Sequence, residues 1–562
     1  MKTNLRAWSG IGLLVLSPAC SGDATNGDGT GATGGGGMGG VTAGTGGGTS
    51  ASGGVAVMPA PGSGGVVGAG ATPSFGAGGA SSGSGTGGVP SFGGVTVGGA
   101  GGVGMAVGGT PGSGGAPSSG GSGASGGSGT GGAPQVGLPP GVAYLFPPPQ
   151  GTGVCPDPPL RIRFPGPPTL GTSGKVQVFS QSGSVVASVD MAATNVTDTI
   201  GGTAFTMPRP AFVDGNDAVI YLKTKALNYG QSYYVTVDSG AVHPPGGGTL
   251  AITGPTGWRF STAPAAPADP SMLKVALDGS GQFCSVQGAT DALPAGNTTA
   301  STITVAPGTY HEIVHMRGKS NVTLHGVDRK QTVISGTNNN NLNPSTATRS
   351  LVGFDSTNGL VVENLTIQNL TPQGGTQAEA LRLQGCDKCV VRDADILSLQ
   401  DTLLWSGRVY AKNCYIAGNV DYIWGTGVVY FDACEIHTVG RTGVIVQSRN
   451  APGAYGYVFV DSKLTADAAA TNNMLARIDV SAYPGSHVAY VNCQMSNVAA
   501  AGWTITGGVA SSALRFWEYK STDASGNALN VGGRVGGSQI SDSQAGMMRD
   551  PTVVLGGWQP PN

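Results

Sequence analysis

Short β-type segments recur down the C-terminal half of this chain, and their spacing constrains the fold more than any other feature. Val361-Val362-Glu363-Asn364-Leu365-Thr366-Ile367, Val391-Arg392-Asp393-Ala394-Asp395-Ile396 and Tyr410-Ala411-Lys412-Asn413-Cys414-Tyr415-Ile416 share the form apolar-x-apolar-x-polar-small-x-apolar. The form returns at Tyr430 to Ile436, Phe459 to Leu464 and Tyr490 to Met495. The last apolar residues of these segments are separated by 29, 20, 20, 28 and 31 residues. A repeat of this length, all β and with no room for helices, predicts a parallel β-helix, because each rung buries little alone and stacking buries a continuous core.

Neighbouring rungs of such a solenoid lie about 4.8 Å apart, so equivalent residues form ladders. Cys414 and Cys434 are then close enough for a disulfide, with Cys389 a weaker competitor for Cys414. Cys386-Asp387-Lys388-Cys389 has C-x-x-C form. It lacks the second pair that zinc would need and the βαβ context of a thiol redox site. With Ile396 and Ile416 stacked, Asp401 and Asp421 each stand five residues further on and should meet on adjacent rungs. Two carboxylates this close cannot both ionise easily, and a nearby cation would hold one of them charged. The pair would thus supply an acid and a nucleophile at one pH.

The rest of the chain reads differently. Lys2, Arg6 and the apolar run Ile11 to Leu16 predict an export signal over 1–20, with Cys20 placed as the lipidated residue of a bacterial lipoprotein. No Lys or Arg occurs between Arg6 and Arg161, and residues 21–140 are rich in Gly and Ser. Such a stretch has too few large apolar side chains to offset ordering. It is expected to be a flexible tether with a reach on the order of 60 Å. Short strands with Pro and Gly punctuation predict an immunoglobulin-like β-sandwich over 141–264, serving as a spacer. The β-helix is expected over 273–562. A net charge of −2 with 10% charged residues excludes a nucleic-acid footprint, which needs clustered Lys and Arg. Such a surface suits a polar polymer met outside the cell.

Five stretches stand in the order found in pectin methylesterases, and the C-terminal half resembles that family. They are Val275 to Phe283, Gly308-Thr309-Tyr310-His311-Glu312, Gln377-Ala378-Glu379-Ala380-Leu381, Gln400-Asp401-Thr402-Leu403 and Gly418 to Gly425. The resemblance implies a right-handed parallel β-helix and an esterase without a catalytic serine, acting on methyl-esterified galacturonate in pectin. By the same resemblance Asp421 is the nucleophile, and Asp401 the acid that protonates methanol and then the base that activates water. Gln377 and Gln400 are the oxyanion donors, a role a neutral amide fits. Arg477 is the cation that keeps Asp421 ionised. Trp405, Tyr422 and Trp424 are candidates for stacking on sugar. Asp479 stands where the family pattern expects a tryptophan, and its charge would repel free galacturonate.

Other chemistries fit less well. Gly123-Ala124-Ser125-Gly126-Gly127 matches the G-x-S-x-G form but lies in the Gly-rich stretch, without a strand-turn-helix context. No H-E-x-x-H or paired Cys/His spacing points to a metal, and no cofactor is expected. The expected partner is pectin, met by a monomer that is either lipid-anchored through Cys20, its only membrane contact, or secreted. The alternatives are another β-helix carbohydrate enzyme, such as a pectate lyase or polygalacturonase, and an inactive or altered-specificity polysaccharide-binding surface protein of the same fold.

Overall fold

The computed structural model describes residues 137–561. The export signal with Cys20, and the tether apart from 137–140, lie outside the described residues. No described helix is long and apolar enough to cross a membrane.

From Met272 onward the chain winds into a parallel β-helix. Three parallel sheets of eleven, eight and eight strands run its length, and each strand pairs with the strand one coil earlier and one coil later. The turn that carries the chain from the eleven-stranded sheet to the next is made the same way on six coils. Asn364, Asp393, Asn413, Ala433, Asp461 and Asn492 all take positive φ, between 48° and 55°. Their spacing reproduces the 29, 20, 20, 28 and 31-residue steps of the sequence repeat. Five of the six are Asn or Asp, whose short polar side chains tolerate the left-handed region. The repeat is thus a repeated turn, and the apolar residues on either side of it point inward.

The interior is a set of ladders. Ile367, Ile396, Ile416 and Ile436 stack in register, followed by Leu464 and Met495, and all are buried. Phe431, Phe459 and Tyr490 form an aromatic column with ring centroids 4.3 and 4.7 Å apart. The helix Val286–Ala292 departs from the all-β expectation. Val286, Ala289 and Leu293 join the solenoid core beside Leu273 and Ile303, so the helix plugs the open first coil.

The expected Cys414–Cys434 disulfide is not formed. Both are buried free thiols, as are Cys386, Cys389 and Cys493. Their S–H groups turn to carbonyls of the preceding coil, Cys414 to Val391 and Cys434 to Ala411. With both thiols turned to backbone carbonyls of the preceding coil, neither sulfur faces the other as a bridge would require. The bond that does form joins Cys155 to Cys284, across 129 residues of sequence.

Residues 144–262 form a four-stranded and a five-stranded sheet, largely antiparallel, around their own core of Leu145, Ile162, Val178, Val235 and Trp258. This block is fastened to the solenoid beyond the disulfide. The hairpin of strands Asn195–Ile200 and Thr203–Pro208 sends Ile200 and Phe205 into the solenoid core, and Phe205 meets the His315 ring edge-on at 5.4 Å. Thr206 and Asn343 exchange two hydrogen bonds of 2.9 and 2.7 Å.

Candidate active site

Three carboxylates stack on one sheet. Leu381 pairs with Leu403 and Leu403 with Ile423, and Gln400 bridges Val420. The same register aligns Glu379, Asp401 and Asp421 on successive coils, spaced by about one rung, or ~4.8 Å. Asp401 and Asp421 both leave the strand conformation, with φ of 64° and 47°. Left-handed non-glycine residues of this kind concentrate at functional sites.

The approach to Asp421 is tightly constrained. Asn419 donates to the carbonyls of Val439 and Arg441 at 2.7 and 2.6 Å, and its own N–H reaches Leu399. At Gly418 an added Cβ would lie 2.2 Å from Tyr422 Cβ and 2.6 Å from Thr402 Oγ1, so only glycine fits there.

Each acid has a different partner. Arg477 forks Asp421, with Nε 2.8 Å from Oδ1 and 3.1 Å from Oδ2, and Nη2 also on Oδ2. Arg349 Nη2 donates to Asp401 Oδ2 at 3.0 Å, while its Nε contacts both Glu379 oxygens at 2.9 and 3.0 Å. Both aspartates are more than nine-tenths buried. Burial raises Asp421 above the usual carboxylate range, and Arg477 opposes that rise. Burial raises Asp401 far more, with the Glu379 charge next and Asp421 contributing less, against Arg349 and Arg449. The acid-and-nucleophile split therefore arises from desolvation and a third carboxylate more than from mutual repulsion of the two aspartates.

Gln377 and Gln400 are half-buried beside this column. The Ala378 N–H donates to the Gln400 carbonyl, so the two glutamines sit on neighbouring coils, and Gln377 Oε1 accepts from the Thr376 hydroxyl at 2.7 Å. That contact leaves the Gln377 amide N–H as the group free to donate.

Of the three aromatic candidates only Trp424 stands on the outer face. Leu404 pairs with Trp424 on that face, which turns their neighbours Leu403 and Trp405 inward. Trp405 is fully buried and stacks on Phe431 at 5.8 Å. Tyr422 is also fully buried, and its hydroxyl meets Thr438 Oγ1 at 3.0 Å. The ladder register shifts between Val420 and Ile423, so Tyr422 and Ile423 both face the core. Trp405 and Tyr422 are therefore core residues and not sugar platforms. Trp424 has the Arg449 guanidinium 4.7 Å from its ring centroid and that of Arg349 at 5.6 Å. Exposed Asp479 turns its carboxylate back onto Ser481, N at 2.9 Å and Oγ at 2.6 Å, which ties down part of its charge.

Arg349, Glu379 and Arg449 were not among the residues singled out by sequence. Glu379 was within reach, since it precedes Asp401 by 22 residues as Asp401 precedes Asp421 by 20. Arg349 sits on a loop with no periodicity to place it.

The pectinesterase family model matches residues 272–546. Pectinesterase 31 of Arabidopsis thaliana is 34% identical over 206 residues, which is 34% of this chain and 65% of that protein. Probable pectinesterase 56 of the same plant is 33% identical over 224 residues, covering 38% of this chain and 77% of that protein. The pectin methylesterase from carrot superposes with a TM-score of 0.47 at 28% identity, covering 52% of this chain and 95% of the carrot chain. With the family model spanning the solenoid and a relative matched over more than three quarters of its length, this chain belongs to the pectinesterase family.

Proposed function

We propose that this protein hydrolyses the C6 methyl esters of polygalacturonate, releasing methanol and leaving pectate. One observation supports the reading: a forked Asp421–Arg477 pair lies one rung from Asp401, whose carboxyl burial raises well above the usual carboxylate range. The Asp421 carboxylate attacks the ester carbonyl, and the oxyanion that forms takes hydrogen bonds from the side-chain amides of Gln377 and Gln400. Asp401 gives its proton to the departing methoxide, and an acid anhydride remains between Asp421 and the sugar. Water then attacks that carbonyl, passes a proton to Asp401 and frees the Asp421 carboxylate, so both acids return to their starting forms. Trp424, 7% exposed and flanked by Arg349 and Arg449, is the remaining aromatic candidate for the sugar. The reading also takes 1–20 as an export signal, with the protein lipid-anchored through Cys20 or secreted, monomeric, and carrying 141–264 as an immunoglobulin-like module.

The test is methanol and proton release from highly esterified pectin, with an acetylated polymer as control. Wild type should release methanol and no acetate. Asp421→Asn and Asp401→Asn should each lower kcat by about a thousandfold or more. Full methanol release by Asp421→Asn would remove it as nucleophile.

A further inference from the structure

The carboxylate column carries more acids than directly bonded cations. Glu379, Asp401 and Asp421 are all buried. Arg349 touches the first two and Arg477 the third. Arg449 faces the column as well, but its guanidinium lies over Trp424 and Tyr483 and donates to Gln447 Oε1. It acts on the aspartates only through space. Three buried carboxylates share two bonded guanidiniums, with Arg449 and the Asp355-paired Arg382 acting only through space, so one acid lacks a cation of its own and a retained proton lowers that cost.

The hydrogen bonds decide where the proton stays. Glu379 takes Nε of Arg349 on both oxygens and Nη2 at 2.8 Å, whereas Asp401 receives a single Nη2 contact at 3.0 Å. Arg349 is itself held. Its Nη1 donates to Asn340 Oδ1, and Asn338 Nδ2 grips the carbonyls on either side of it, Thr348 at 2.8 Å and Ser350 at 2.7 Å. We propose that Glu379 and Arg349 form a positioning pair for the reaction. Glu379 claims most of the guanidinium, so Asp401 keeps its proton, and the remaining Nη2 contact aims the Asp401 carboxyl at the leaving group. This inference deepens the methyl-ester hydrolysis proposed above and rests on it.

The experiment follows methanol release by the full chain across pH, with thermal melting to confirm folding. The groups facing Asp401 are Glu379, Arg349, Asp421, Arg449 and, through Asp421, Arg477. Asp401 must be protonated as acid, so its titration sets the basic limb of kcat. Glu379→Gln leaves Arg349 free to ionise Asp401. The basic limb should move down by about one pH unit, and kcat at neutral pH should fall about tenfold, with KM changed less than about twofold. Arg349→Lys keeps a positive charge but cannot serve both acids. Its basic limb should move up, with a lower kcat. Opposite shifts are not what a merely structural lesion gives. Limbs that stay put in folded variants, or move together, overturn the proposal. If Glu379→Gln does not fold, the lysine variant decides alone. If neither folds, infrared spectra of wild type decide, since a protonated-carboxyl band at neutral pH should vanish in Asp401→Asn. Wild type that releases no methanol sinks this proposal and the function together. An active wild type, a dead Asp421→Asn and unmoved limbs sink this proposal alone.

Discussion

The solenoid and the antiparallel block are both built from short strands, yet they place side chains by different rules. In the solenoid a fixed turn repeats, so residues one coil apart stand one above another. Charge can then be stacked in a column, as Glu379, Asp401 and Asp421 are. In the block, partners come from distant parts of the sequence. Arg163 forks Asp217 across adjacent antiparallel strands, 54 residues away. Arg161 also contacts Asp217 and Asp214, so the block gathers a small ion-pair cluster across three strands and no column of acids. A parallel stack is thus suited to chemistry needing several acids at one point, and the block to holding a shape. The boundary between them is blurred at several places, among them the Phe205 hairpin, the Cys155–Cys284 bond and Asp157, which accepts from the N–H groups of Cys284 and Ser285.

Removing Phe205 attacks that boundary most strongly. Its ring is buried in the solenoid core although it belongs to the block. Phe205→Ala should cost about 3–5 kcal/mol and split one cooperative calorimetric transition into two. A single transition in the variant would show the regions joined by other contacts. Next comes the disulfide. Replacing Cys155 and Cys284 by Ser should lower stability by about 2–4 kcal/mol without changing kcat, because the bond lies far from the carboxylate column in the coil order. Loss of kcat with stability kept would contradict that separation. Gly418→Ala probes the column side. Its Cβ cannot fit beside Tyr422 and Thr402, so overpacking should cost about 1–3 kcal/mol and displace Asp421, with kcat falling further than the melting temperature implies. The smallest effect tests the turn rule. Ala433 is exposed at φ 49° among five Asn and Asp counterparts. Ala433→Gly should raise stability by about 1 kcal/mol, read as a higher melting temperature at unchanged activity.

What could be read from sequence follows the same division. Ladder logic brought Asp401 and Asp421 onto adjacent coils because the Asn and Asp turns leave a visible period. It did not give sidedness, since the register shift between Val420 and Ile423 breaks the alternation that would have put Tyr422 outside. It also misplaced the disulfide. Stacked Cys414 and Cys434 are the obvious pair in a repeat, while Cys155 and Cys284 meet only because the block folds back onto the first coil, which no local pattern records. Arg349 escaped for a similar reason. Its position depends on Asn338 and Asn343 in an irregular loop, and Asn343 is in turn bonded to Thr206 of the block.

The cross-link from Cys155 to Cys284 also settles how the molecule bears load. A pull applied at residue 137 runs along the backbone only as far as Cys155, crosses the sulfur bridge, and enters the solenoid at the start of its plugging helix. Residues 156–283 are shunted out of the force path. A load on the solenoid would therefore be taken by the stacked coils, leaving the Phe205 hairpin and its grip on the Arg349 loop unstressed.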